Sequence, residues 1–245
     1  DGRLDVLSTR PDPDSANPRD MVFEVYFQQA DGGFREQPDQ IIRYRDRESR
    51  RDWRDLNNDG YMDHIEMQEN FDLVSPLMSI DYYLAQGPVT DIRGQAPPRP
   101  FRPRNPYGYA LFGDWTGDGR LDMAHTYVDK TFGSPKDMAE MMIGKFMGIE
   151  IWFYRFENNG YAARPTCQLR MEIRNECLSP LLPAEMIIRV VDDLTGDGHP
   201  NLMIRRGPEE LWVYDLDLTR GRISRNPAIR FQVSAQDFPD FTVVG

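Results

Sequence analysis

An acidic loop is written four times along this 245-residue chain: Asp1-Gly-Arg-Leu-Asp5, Asp55-Leu-Asn-Asn-Asp-Gly-Tyr-Met-Asp63, Asp114-Trp-Thr-Gly-Asp-Gly-Arg-Leu-Asp122 and Asp193-Leu-Thr-Gly-Asp-Gly-His-Pro-Asn201. Its last positions, Asp5, Asp63, Asp122 and Asn201, are 58, 59 and 79 residues apart. A period of this size signals a repeat architecture, in which each unit is one supersecondary element that buries its apolar face against its neighbours. Each complete loop carries oxygen side chains at alternate positions and a glycine at position 6: Gly60, Gly119 and Gly198. A sharp turn is needed there, and glycine accepts the backbone angles without steric cost.

That pattern suits calcium, a hard cation that takes six to eight oxygens at about 2.3–2.6 Å. The expected ligands are Asp55, Asn57, Asp59, the Tyr61 carbonyl and Asp63; then Asp114, Thr116, Asp118, the Arg120 carbonyl and Asp122; then Asp193, Thr195, Asp197, the His199 carbonyl and Asn201. The first copy is partial, with Asp1, the Arg3 carbonyl and Asp5. Neutral oxygens at position 3 limit repulsion between carboxylates. The plainer alternative is a surface turn, because Asp, Asn and Gly favour turns without any metal.

An EF-hand also reads Asp-x-Asn-x-Asp-Gly, but it ends on a bidentate Glu at position 12 and lies between helices. The second loop has Glu66 there, whereas the third has His125 and the fourth Ile204. The loops share apolar residues directly after them, Val6-Leu7, Met123-Ala124 and Leu202-Met203-Ile204, which predict a strand. Each unit also repeats an aromatic run of strand formers: Phe23-Glu-Val-Tyr26, Ile80-Asp-Tyr-Tyr83, Ile151-Trp-Phe-Tyr154 and Leu211-Trp-Val-Tyr214. These rows are expected to pack as core. Several short strands per unit, separated by Gly, Pro, Asn and Asp, predict an all-β fold of propeller blades, with loop-to-loop units 1–54, 55–113, 114–192 and 193–245.

Phe112-Gly113 entering Asp114-x-Thr-Gly-Asp-Gly-x-x-Asp122, recurring about every 60 residues, resembles the FG-GAP and VCBS-type repeats of calcium-bearing β-propellers in integrin α subunits and bacterial surface proteins. The resemblance implies that each loop joins two neighbouring strands of a blade and that calcium clips them together. It also implies a role in adhesion or assembly outside the cytoplasm, without catalysis. The third unit departs from the pattern by being about 20 residues longer than the others.

Gly245 follows Phe241-Thr-Val-Val244 much as Gly113 follows Leu111-Phe112, and Asp1 stands at position 5 of a loop. The chain therefore reads as four repeats cut at equivalent points, either a closed four-blade ring or a window on a larger propeller.

The formal charge of −11 agrees with metal binding, since ten of the forty acidic residues stand in the loops. Bulk affinity for nucleic acid, which needs a net basic face, is not expected. No apolar run of about 18 residues is present to span a membrane as a helix. Cys167 and Cys177 flank a stretch that reads as a hairpin, and a disulfide across it suits an oxidising compartment, with two unpaired thiols as the alternative. An extracellular, cell-surface or periplasmic location is expected, with a protein or glycan as partner.

Two insertions stand apart. Gln95–Tyr107 is rich in proline and arginine and predicts an extended segment free of regular pairing, a stiff connector or a docking segment. Ser134–Met147 predicts a short helix, capped by Ser134, with Met138, Met141, Met142 and Phe146 near one face. His64, His125 and His199 lie in or beside the loops and are expected to flank the metal or face solvent. No nucleophile elbow, His-Glu-x-x-His or phosphate loop appears. The sequence favours a calcium-binding recognition module. A carbohydrate-active lyase or hydrolase on the same scaffold and an EF-hand-like sensor are the alternatives.

Overall fold

The computed structural model describes residues 6–17, 20–44, 49–70, 77–87, 98–102, 110–128, 135–136, 146–174 and 188–232. Apart from a helical pair at Pro135 and Lys136, their regular structure is β-sheet, and the pairings are antiparallel. The chain divides into two compact units, residues 1–70 with 78–102, and residues 71–77 with 103–245.

The first unit contains two sheets. Strands β1 (Val6–Pro11), β2 (Met21–Tyr26) and β3 (Gln40–Tyr44) form one, in the order β1-β2-β3. Strands β4 (Ser49–Arg54), β5 (Asp63–Asn70), β6 (Leu77–Tyr83) and β7 (Arg99–Phe101) form the other, again in sequence order. Alternate residues of a strand share a face. Phe23 and Val25 of β2 and Ile42 of β3 therefore join Trp53, Tyr83 and Ala85 in one apolar core, with the Phe23 and Trp53 rings 5.8 Å apart.

The second unit repeats the plan. Strands β8 (Ala110–Gly113), β9 (Asp122–Val128), β10 (Phe146–Tyr154) and β13 (Cys167–Arg174) make a four-stranded sheet, and a hairpin of β11 (Phe156–Glu157) and β12 (Gly160–Tyr161) follows β10. The hairpin turns at Asn158 and Asn159, both in the left-handed region that a tight hairpin demands and asparagine tolerates. Strands β14 (Ile188–Val191), β15 (Asn201–Gly207) and β16 (Glu210–Asp217) form the last sheet, with β17 (Arg222–Ile223) and β18 (Ile229–Gln232) both paired to β16. Ile149, Ile151 and Phe153 of β10 and Leu169 and Ile173 of β13 face Leu202, Ile204, Tyr214 and Leu216 in a shared core. Tyr83, Tyr154 and Tyr214 of the aromatic rows are buried as expected, whereas Tyr26, Trp152 and Trp212 are only partly buried.

The sheets place each complete loop between the first and second strand of a sheet, at β4–β5, β8–β9 and β14–β15. A strand on either side of the second loop rules out the EF-hand arrangement. Glu66 lies within β5, buried, and its Oε2 accepts the Tyr83 hydroxyl at 3.2 Å.

Four further expectations change. Arg99–Phe101 is not free of pairing, because it forms β7 against β6, with Pro100 opposite Asp81. At the end of a sheet, a strand tolerates the missing proline N–H. Phe146 and Met147 begin β10 and do not belong to a helix. Of the rest of that segment, only Pro135 and Lys136 are among the described residues, and both are helical. His64 and His125 are fully buried and do not face solvent, and burial lowers the His125 pKa to about 3, so it is neutral.

The cysteine hairpin is also absent, since Cys167–Arg174 is one continuous strand. Cys177, the other half of the expected pair, lies outside the described residues. Cys167 is a free thiol, and burial pushes its pKa up to about 12.

Phe153 is fully buried and Phe34 is exposed. Phe153→Ala should lower unfolding free energy by about 3–5 kcal/mol, whereas Phe34→Ala should change it by less than about 0.5 kcal/mol, in urea titrations followed by circular dichroism.

Candidate metal loops and their buried clamps

Each complete loop folds around the carboxylate at its first position. Asp55 accepts the amides of Asp59 at 3.1 Å and Gly60 at 2.9 Å. Asp114 accepts those of Gly117, Asp118 and Gly119 at 2.8, 3.1 and 2.8 Å. Asp193 accepts Thr195 and Asp197, both at 3.2 Å, and Gly196 and Gly198 at 2.6 and 2.7 Å. These bonds favour the charged form. The Gly198 amide first, outweighing partial desolvation together with the other three amides, holds the Asp193 carboxyl below its ordinary pKa.

The position-5 carboxylates cap the next turn. Asp59, Asp118 and Asp197 accept the amides of Tyr61, Arg120 and His199 at 2.9, 3.0 and 2.9 Å. Desolvation raises Asp118, but the Arg120 amide and guanidinium outweigh it and leave its pKa lowered.

Gly60, Gly119 and Gly198 have φ of 86°, 84° and 84°, as the sharp turn at position 6 requires. Position 4 is left-handed as well, at Asn58, Gly117 and Gly196, with φ of 60°, 74° and 78°. Only glycine and asparagine stand there in the three copies, because both accept that region.

The ninth position behaves differently. Asp63, Asp122 and Asn201 are completely or almost completely buried. Asp63 accepts the Leu56 amide from its own loop at 2.8 Å and the Ala85 amide beyond β6 at 2.7 Å. Asp122 repeats this with Trp115 and Thr116, both at 3.1 Å, and with Phe156 beyond β10 at 3.0 Å. The side chain thus ties the loop to the end of the third strand of its sheet. In the fourth copy Asn201 accepts Leu194 at 2.6 Å and Thr195 at 3.2 Å, and its amide nitrogen lies 3.4 Å from both the Tyr214 carbonyl and an Asp215 carboxylate oxygen. Asp215 lies opposite Asn201 in the register, so a carboxylate is kept at the joint although it has changed strand.

Burial dominates the acidity of the clamps. Desolvation raises Asp63 to about 7 despite its two amide bonds, and it raises Asp122 as well.

Gly113, the glycine of the Phe-Gly pair, is needed for a different reason. A Cβ there would lie 2.5 Å from the Trp115 indole nitrogen, and the same indole packs edge-on against Phe153 at 5.7 Å. The β11–β12 hairpin closes over this loop, with the Tyr161 hydroxyl donating to the Leu121 carbonyl at 2.8 Å.

The expected site residues are therefore used in two ways. Positions 1 and 5 remain at the loop surface, position 3 is half-buried with Thr116 Oγ1 shut away from solvent, and position 9 lies beneath them. Among the described residues, no three His, Cys, Asp or Glu side chains come together in a metal-holding group. Each complete loop instead offers two carboxylates and one neutral oxygen, from Asn57, Thr116 or Thr195, all hard donors of the class that calcium accepts. Asp1, Arg3 and Asp5 lie outside the described residues. The sequence reading missed the strand-end amides of Ala85 and Phe156. Their signal is positional, because each lies two residues after the recurring tyrosine, Tyr83 or Tyr154.

Asp63→Ala should destabilise the calcium-free protein by roughly 2–4 kcal/mol, because it leaves two amides without an acceptor, whereas Asp59→Ala, at the loop surface, should cost less than about 1 kcal/mol. The pH dependence has a definite sign. The folded state holds the Asp63 proton up to about pH 7, whereas an unfolded chain releases it near pH 4. This group's contribution is present below about pH 4 and lost as pH rises through 7. Chelated protein should melt higher at pH 5 than at pH 7.5 relative to Asp63→Asn, which removes the titration.

No family model matches the chain, and no curated protein matches it. Among solved structures, the exotype rhamnogalacturonan lyase YesX aligns at 13% identity with a TM-score of 0.38, covering 84% of this chain and 40% of that one. Rhamnogalacturonan lyase YesW aligns at 12% identity with a TM-score of 0.36, covering 90% of this chain and 44% of that one. The chain spans less than half the length of either, and likeness at this level carries no inference about activity.

Proposed function

We propose that the protein is a calcium-stabilised β-propeller module, or part of one, that recognises a protein or glycan partner outside the cytoplasm. One observation carries this reading: the same amide–carboxylate loop recurs between the first and second strands of three successive sheets. Repetition of one geometry is hard to explain as chance turn composition. Calcium would be held by the side chains at positions 1, 3 and 5 and the carbonyl at position 7, namely Asp55, Asn57, Asp59 and Tyr61 in the second loop and their counterparts in the third and fourth. When bound, the ion neutralises surface carboxylates that otherwise repel one another.

The role of the protein's own residues is mechanical. The position-9 side chains hold each loop to its sheet, the loops set the ends of the strands, and the connections between strands are left to form the recognising surface. Loops of ordinary affinity fill at millimolar extracellular calcium, which is the basis for the proposed location.

Calcium at a hundredfold excess over Kd should stabilise the fold by about 2.7 kcal/mol per loop, or roughly 5–10 °C in Tm for a chain of this size. Asp118→Ala should remove one loop's share of that rise. An identical Tm in calcium and in chelator would sink this reading, while release of reducing ends or unsaturated sugars from a polysaccharide panel would convert the module into an enzyme.

A further inference from the structure

At the end of the last sheet away from its acidic loop, three side chains from three adjacent strands form a stack. Arg206 of β15 lies with its guanidinium carbon 4.3 Å from the centre of the Trp212 ring on β16, and Arg230 of β18 lies 4.7 Å from the same ring. Trp212 pairs with Arg230 in the register, so the stack follows from strand alignment. Arg206 also lies 5.4 Å from the Phe146 ring, and Arg174, opposite Phe146 in the register, reaches Gly207, where a Cβ would come within 3.2 Å of its side chain.

Stacking occupies the face of a guanidinium and leaves its in-plane N–H groups free for a carboxylate. Arg206 donates one of these to Glu210 at 3.2 Å. Arg174 and Arg230, both exposed, make no ion pair among the described residues. Residues 201–232 contain six arginines and four acidic residues, a local excess of positive charge in a chain of net charge −11. Phe146 is exposed beside the stack at 42%. The stack ends on β18, whose second edge has no strand partner among the described residues.

We propose that this arginine–tryptophan ladder and the β18 edge bind an extended acidic peptide. Its carboxylates meet Arg230, Arg174 and the remaining edge of Arg206, and its main chain adds to β18 as a further strand. The exposed edge favours a peptide over an acidic polysaccharide, which has no regular array of amides to pair with it. The site is on the far side of the sheet from the loops and does not depend on their filling, so it stands or falls separately from the calcium reading.

The test titrates the full chain, in calcium, with a ten-residue alternating Glu-Val peptide, read by calorimetry and by tryptophan fluorescence. A Glu-Pro peptide of equal charge and polygalacturonate serve as comparisons. The expected result is saturable binding of Glu-Val, at least fivefold weaker binding of Glu-Pro, and at least a tenfold loss in Arg230→Glu with circular dichroism unchanged. Arg230→Lys, which keeps the charge without the flat stack, should fall between. Absence of binding, equal affinity for Glu-Pro, tighter binding of polygalacturonate, or an unaffected Arg230→Glu would each overturn the proposal.

Discussion

Everything in the repeat depends on one buried side chain that serves two backbone segments at once. Asp63 and Asp122 each accept amides from the loop before them and from the end of a strand well beyond them. A backbone N–H shut away from water costs free energy unless it finds an acceptor, so the loop and the strand end are satisfied together or left wanting together. This couples a surface turn to the apolar core. It also explains why the last position of the motif is as restricted in residue type as the surface positions, although its side chain is buried.

Much of this was legible in the sequence, because repetition separates what a unit needs from what it tolerates. The period, the glycine at position 6 and the aromatic run before Tyr83, Tyr154 and Tyr214 all follow from local chemistry. What stayed hidden were long-range pairings. Glu66 stands where an EF-hand ligand would, and only the pairing of β5 beside β6 brings it to the Tyr83 hydroxyl. The Cys167–Arg174 strand looks like a hairpin from its alternation alone, since alternation reports a half-buried strand and does not tell whether the chain turns back. The proline-rich segment hid β7 for the opposite reason, as proline argues against a strand except at an edge.

The fourth repeat shows which part of the joint is chemical and which is positional. Asn201 replaces a carboxylate, and Asp215 supplies one from the facing strand, so the acidic group persists while the hydrogen-bond polarity between them changes. At the equivalent place after the tyrosine, the other repeats have Leu84 and Arg155. An asparagine amide does not titrate, so this joint keeps its bonding pattern across pH values at which Asp63 changes its protonation.

The order of strands within each sheet has a consequence for how such a chain is made and altered. Most strands pair with the next one in sequence, with only short hairpins or strands intervening at β10–β13 and β16–β18, and the loop clamps reach only 22 residues in the second repeat and 34 in the third. Each sheet can therefore complete its hydrogen bonding while later repeats are still emerging from the ribosome, in line with domains forming from the N-terminus onward during synthesis. The same locality lets one repeat lengthen by itself. Much of the third repeat's extra length falls between β9 and β10, where it leaves the pairing of Met123 with Tyr154 and every neighbouring repeat's register untouched.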